Sequence, residues 1–231
     1  MKNFLRLPIV AVFVFIMTTA FSQECTVYFP LDEGTEVEMT NYDKKGKVES
    51  TYTQKIEKKE VDGDNLDITI LQKIYDDKGE FLHEGRFGMR CEDGNFYVDM
   101  RSFLDEEMMS AYEGMELQVD SKDMAIPSDL SVGMSLPDAN ISIAISNQGF
   151  KIMTLTVDIT ERKVEAQEDI TTPSGTFNCY KMTYHISTKM GVRISGNATE
   201  WLAKDVGIVK SENYNKKGKL QSYTLLTGLK K

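Results

Sequence analysis

The chain has 231 residues, with 27 Lys and Arg against 36 Asp and Glu and a formal net charge of −9. That length suits one domain or two small ones. The acidic balance opposes binding to phosphate backbones or anionic membranes by net charge alone, so nucleic acid is not an expected partner.

Lys2 and Arg6 precede an apolar run from Leu7 to Met17, followed by Ala20-Phe21-Ser22. This is the pattern of a secretory signal peptide, residues 1–22, with cleavage expected before Gln23. The run is short of the roughly 20 apolar residues of a membrane span. Cys25 lies three residues beyond Ser22 rather than directly behind a small residue, so a lipid anchor is not expected. Cleavage removes Lys2 and Arg6 and no acid, which takes the formal charge from −9 to −11. The mature chain, 23–231, is expected to be a single β-rich domain, periplasmic or secreted, soluble and without a transmembrane segment.

Residues 36–40 alternate, with Val37 and Met39 against Glu36, Glu38 and Thr40. Tyr42 to Val48 then forms the first copy of a repeated turn; Tyr75 to Phe81 and Tyr214 to Leu220 are the others. In each, a Tyr ends a strand, Asp or Asn opens a type I turn by accepting from its own backbone, and Gly takes a left-handed conformation. Between the first two turns, Leu66, Ile68, Ile70 and Ile74 oppose Asp67, Thr69 and Lys73 with period two. Phe81, His83, Phe87, Met89 and Cys91 share the parity of one face of the next strand.

One helix is expected from Ser102, where Asp105 completes a capping box. Leu104, Met108, Ala111 and Met115 form its apolar stripe, and Asp105, Glu106, Glu113 and Glu116 its acidic face. Met124 to Pro137, with Pro127, Gly133 and Pro137, reads as an ordered loop crossing the sheet or equally as a linker between two halves. Ile141, Ile143 and Ile145 alternate into the turn Asn147-Gln148-Gly149, which leads to Met153, Leu155, Val157 and Ile159. Further strands are expected near 162–170, 176–187, 192–202 and 206–214, with a last hairpin to about 227.

Chemistry-bearing patterns are sparse. His83 and His185 are far apart and each sits in a strand pattern, so buried, hydrogen-bonded structural roles outweigh metal ligation. No cofactor, metal site, catalytic cysteine, nucleophile elbow or phosphate loop is read from the sequence, and no enzyme activity is expected. Asp62-Gly63-Asp64 and Asp76-Asp77 lack the spacing of an EF-hand calcium loop. Cys25, Cys91 and Cys179 leave one thiol over in an oxidising compartment; three single pairings, an intermolecular bridge and a fully reduced state are all open to spacing, and the expectation is at most one intrachain bridge, with Cys25–Cys91 favoured and Cys179 then buried and free. Methionines gather around the expected helix, where core filling is favoured over a ligand surface.

Cys25–Gly34 (CTVYFPLDEG), Ser131–Ala139 (SVGMSLPDA), Thr171–Lys181 (TTPSGTFNCYK) and Glu200–Lys210 (EWLAKDVGIVK) together resemble the exported proteins called TapB-like, a branch of a domain of unknown function. Related domains look like the LolA/LolB lipoprotein carriers. The resemblance implies a mainly β fold, an unclosed antiparallel β-barrel with one covering helix and a long loop, and it brings no catalytic residues. Two functions follow as expectations. One is a carrier or sensor holding an apolar, lipid-like ligand against Leu104, Met108, Ala111 and Met115. The other is a structural or assembly protein of the cell envelope whose partner is another protein.

Overall fold

The computed structural model describes residues 27–103, 112 and 114–231. The signal peptide, Cys25, and the stripe residues Leu104, Met108 and Ala111 lie outside the described residues.

Alternation and Gly-containing turns generate thirteen strands: β1 Glu36–Asp43, β2 Val48–Asp62, β3 Asn65–Asp76, β4 Phe81–Glu92, β5 Asn95–Val98, β6 Glu116–Lys122, β7 Met124–Pro127, β8 Ala139–Asn147, β9 Phe150–Thr172, β10 Gly175–Met190, β11 Val192–Ala203, β12 Gly207–Asn215 and β13 Leu220–Lys230. They form one antiparallel sheet in the order β6-β8-β9-β10-β11-β12-β13-β1-β2-β3-β4-β5-β7. The barrel is nearly closed. Its two edge strands, β6 and β7, are consecutive in the chain and separated only by Asp123.

That adjacency explains the seam. Both edge strands run in the same direction, so 116–127 is one extended segment that changes partner midway. Its first half pairs with β8, from Glu116↔Ser146 to Lys122↔Asn140, and its second half with β5, from Val98↔Met124 to Asn95↔Pro127. Asp123, at the crossing, accepts from Arg90 of β4 and from the Met100 backbone N–H at 3.2 Å. The 3-10 turn Met100–Phe103 packs against β4, β6 and β8.

The three repeated turns are built as expected. Asp43 Oδ1 accepts from the N–H groups of Lys45 and Lys47 (2.7 and 2.9 Å), Asp76 Oδ1 from Lys78 and Glu80 (2.9 and 2.8 Å), and Asn215 Oδ1 from Lys217 and Lys219 (2.9 and 3.1 Å). Gly46, Gly79 and Gly218 have φ of 85°, 81° and 69°, a region where a Cβ costs roughly 1 kcal/mol.

Two apolar clusters fill the barrel. The larger is built from strands on both sides of β1, with Ile56, Ile70, Val164, Val209 and Leu226 fully buried; the smaller holds Ile141, Ile143, Ile145, Ile159 and Met100. Burying each such side chain contributes roughly 1.5–3 kcal/mol, so the alternation read in β3 and β8 is also the main source of stability.

Four expectations are corrected. A 3-10 turn stands where the covering helix was expected to begin. Met115 closes a turn onto the Tyr112 carbonyl (3.1 Å), and Glu116, assigned to a helical acidic face, opens β6. The supposed loop from Met124 begins with β7, whose Met124 and Ile126 are buried. The expected strands at 153–159 and 162–170 are one 23-residue strand, β9, in which Glu161 at φ 55° forms a bulge and resets the inward parity. A register shift between Ile74 and Tyr75 likewise takes Phe81 off the Cys91 face; it lies edge-on to Tyr75 at 6.0 Å and is largely exposed.

Candidate functional site

Inside the barrel, strands β1–β5 and β7 on one side and β11–β12 on the other enclose a cavity of about 250 Å³. Its walls are mostly apolar, including Met39, Phe87, Met89, Phe96, Val98 and Leu202. The polar groups that face it are few: Tyr52, Gln54, Gln72, Glu200 and Ser211. Gln54 Nε2 donates to Gln72 Oε1 across the β2–β3 pair at 2.8 Å. The strand period explains this arrangement, because Tyr52, Gln54 and Ile56 share one face of β2, and Ile68, Ile70 and Gln72 one face of β3.

Glu200 lies where the two apolar clusters meet. Tyr184 of β10 donates its hydroxyl to Glu200 Oε1 at 2.8 Å. Burial pushes the Glu200 carboxyl above its ordinary range, against the opposing effects of the Tyr184 hydrogen bond and the Arg162 charge. Burial, reinforced by Glu200, raises Tyr184 well above its usual value, and burial with the Glu200 charge does the same to Tyr52. Arg162, 3% exposed, has its pKa lowered by burial. Its Nη1 donates to the carbonyls of Ala125 (2.9 Å) and Pro137 (2.7 Å), while Nη2 is buried without a hydrogen-bond partner among the described residues. Arg162 therefore ties β9 to β7 and to the segment before β8 on the open side of the seam.

None of Tyr52, Arg162, Tyr184 and Glu200 was singled out from the sequence. The signal for Glu200 was present, since Ala198-x-Glu200-x-Leu202 puts a carboxylate on an inward parity between two buried residues. Arg162 was hidden by the bulge at Glu161. Of the four expected ligand-wall residues, Met115 packs on the smaller cluster and does not line the cavity; Leu104, Met108 and Ala111 lie outside the described residues. Met100 and Met124 are buried in that same cluster, and Met124 also lines the cavity.

The other candidates stay apart. His185 Nδ1 on β10 pairs with Asn197 Oδ1 at 3.0 Å, and His83 on β4 sits across from Ile74 of β3; β4 and β10 are not neighbours in the sheet. No group of three or more His, Cys, Asp or Glu suited to a metal occurs among the described residues. Cys179 is a buried free thiol raised to about 11 by burial, then by Asp169 and Glu168. Cys91 is buried and has an interaction partner.

The two C-terminal segments that carried the resemblance meet at Trp201. Register places Trp201 between Lys181 and Lys210; their ammonium groups lie 5.4 and 4.5 Å from its ring, and its Nε1 donates to Glu168 at 2.6 Å. Trp201 is thus buried under two lysines, a structural anchor joining the β9–β10 and β11–β12 hairpins.

These features define a class: an antiparallel barrel with one incompletely paired seam and an internal, mostly apolar cavity. The chain belongs to the DUF3108-like family, whose pattern matches residues 32–226. It is similar to the crystal structure of an exported protein with a YmcC-like fold from Bacteroides fragilis NCTC 9343, at 25% identity and a TM-score of 0.73, over 90% of this chain and 100% of that one. It is also similar to a lipoprotein from Parabacteroides distasonis ATCC 8503, at 26% identity and a TM-score of 0.72, over 89% of this chain and 99% of that one. No curated protein matches the chain. No helix among the described residues is long and apolar enough to cross a membrane.

Proposed function

We propose that this chain is exported and acts by binding, not catalysis, as a carrier or sensor that holds an amphipathic, lipid-like molecule inside the barrel. The observation that carries the reading is the cavity of about 250 Å³, lined by buried side chains such as Met39, Phe96, Ile126 and Leu202 and by half-buried ones such as Phe87, Met89 and Val98. Its size is just below the roughly 300–1,000 Å³ usual for small-molecule sites, and it has their chemistry of apolar walls with a few convergent polar groups. An acyl chain would lie against Met39, Phe87, Met89 and Leu202, with its polar end toward Gln54, Gln72 and Glu200. Glu200 in its neutral form can donate to a carbonyl or hydroxyl. The signal-like N-terminus and the names of the two similar proteins support export, and the resemblance to LolA/LolB domains supports carriage.

The test is a thermal melt of delipidated mature protein with and without a medium-chain fatty acid or a lysophospholipid. A ligand that binds only the folded state raises the melting temperature with concentration. Val98→Phe, which fills part of the cavity, should remove that rise while leaving a cooperative melt. No rise with any amphiphile, together with native mass spectra free of bound lipid, would leave the structural or assembly protein of the envelope as the better reading.

A further inference from the structure

The alternating direction of the strands sorts the turns onto two ends of the barrel, and charge is sorted with them. Turns 43–47, 76–80, 147–151, 189–193 and 215–219 share one end and hold ten Lys and Arg against four Asp and Glu. Turns 62–65, 92–95, 172–175 and 203–207 share the other and hold one lysine against five acids. The five turns at that end are thus cationic in a chain of net charge −9, while residues 105–116, which lead into β6 beside Ser146, carry Asp105, Glu106, Glu107, Glu113 and Glu116.

Two hairpins stand out at that end. Gly196 of β11 is opposite Asn215, where β12 stops, so residues 191–195 extend past the end of β12. Met190, the end of β10, is opposite Leu155, so 150–154 extend past β10. The overhanging strands carry Phe150, Ile152, Met190, Val192 and Ile194, exposed by 45% to 79%. Lys151, Lys189 and Arg193 are interleaved with them and are also exposed. No Asp or Glu occurs between Asp138 and Asp158, or between Asp169 and Glu200. In the sheet, Glu116 of β6 lies across from Ser146.

We propose that this end docks on an anionic lipid bilayer, with the β8–β9 and β10–β11 tips entering the headgroup layer. The cations match lipid phosphate and carboxylate charge, and the large exposed side chains between them gain by burial at the acyl boundary, the pairing of forces that holds interfacial segments on membranes. Net charge argues against such binding, but the two hairpin tips themselves carry no acid, and the acidic turns of the opposite end face away from the surface. The inference does not depend on the cavity.

The test is flotation of the mature protein with vesicles of phosphatidylcholine alone and with vesicles of equal parts phosphatidylcholine and phosphatidylglycerol, at low and high salt. Binding is expected only to the anionic vesicles and should weaken with salt. Lys189→Glu with Arg193→Glu, and separately Phe150→Ser with Val192→Ser, should each reduce it at least about tenfold. Because these positions are exposed, both double variants should keep the wild-type melt. Absence of binding to anionic vesicles, or binding untouched by both variants, would overturn the proposal. So would a concentration-dependent dimer abolished by Phe150→Ser, which would assign the tips to a second copy of the chain.

Discussion

Arg162 donates to the main-chain carbonyl of Ala125 at 2.9 Å, across the part of the seam where β7 has no partner on that side. A sheet edge leaves backbone groups without ladder partners, and here one buried guanidinium supplies two of the missing donations, to Ala125 and Pro137. Arg162→Ala would leave both carbonyls unsatisfied, at about 1–3 kcal/mol for each buried group, so the variant should lose about 3 kcal/mol in urea unfolding. Arg162→Lys should recover only part of this, because both donations come from Nη1 and the lysine nitrogen stops one bond short of that position. A loss below about 0.5 kcal/mol would show that the seam is held by other contacts.

The raised Glu200 carboxyl sets a pH dependence. Its folded pKa is above that of the unfolded chain, so the folded state holds the proton more tightly. Glu200 then costs nothing below the unfolded pKa, and stability falls as pH rises through the folded value. Glu200→Gln keeps an oxygen to accept from Tyr184 and cannot ionise. It should be more stable than wild type at pH 7 and close to neutral at pH 4. Parallel stability curves for the two proteins from pH 4 to 8 would refute the assignment.

Much of the barrel was legible because its strands obey period two wherever one face is buried, as Ile68–Ile70 and Ile141–Ile145 show. What was not legible arises at places where that period breaks. The bulge at Glu161 reverses parity and conceals Arg162 as an inward residue. β6 and β7 are only seven and four residues long, and β6 is exposed throughout, so Leu117 and Val119 carry no burial signal to outweigh the helical spacing upstream. The cavity depends on residues drawn from strands far apart in sequence, such as Tyr52 and Glu200, and no local pattern brings those together.

The repeated turns offer an internal control for acid sensitivity. In two of them the accepting group is a carboxylate, Asp43 or Asp76, and in the third it is the amide of Asn215. Backbone hydrogen bonds, led by those from Lys47 and Glu80, hold both carboxyls below their usual range. A lowered folded pKa gives stability above the unfolded pKa that is lost as pH falls through the folded one. Asp76→Ala should therefore destabilise at pH 7 and progressively less toward pH 2, whereas the effect of Asn215→Ala should not follow pH in that window. Equal pH profiles for the two variants would contradict the turn assignment.

The last prediction concerns the cysteines and the mature N-terminus. Cleavage after Ser22 would leave Gln23 first and Cys25 three residues in, with Cys25–Cys91 as the proposed bridge. Cys179 is the buried free thiol, and its raised pKa keeps it protonated at neutral pH. A thiol reagent should label nothing in the native protein and one cysteine after denaturation without reductant, and peptide mapping should place the label on Cys179. Reduction should then expose Cys25 and Cys91 together. The bridge closes a loop of more than 60 residues, so by the chain-entropy account its loss should cost roughly 4 kcal/mol, and Cys91→Ser should melt lower than Cys179→Ser. Three thiols labelled without reductant would remove the bridge, and a diacylglyceryl mass on Cys25 would show a lipid-anchored protein in place of a soluble one.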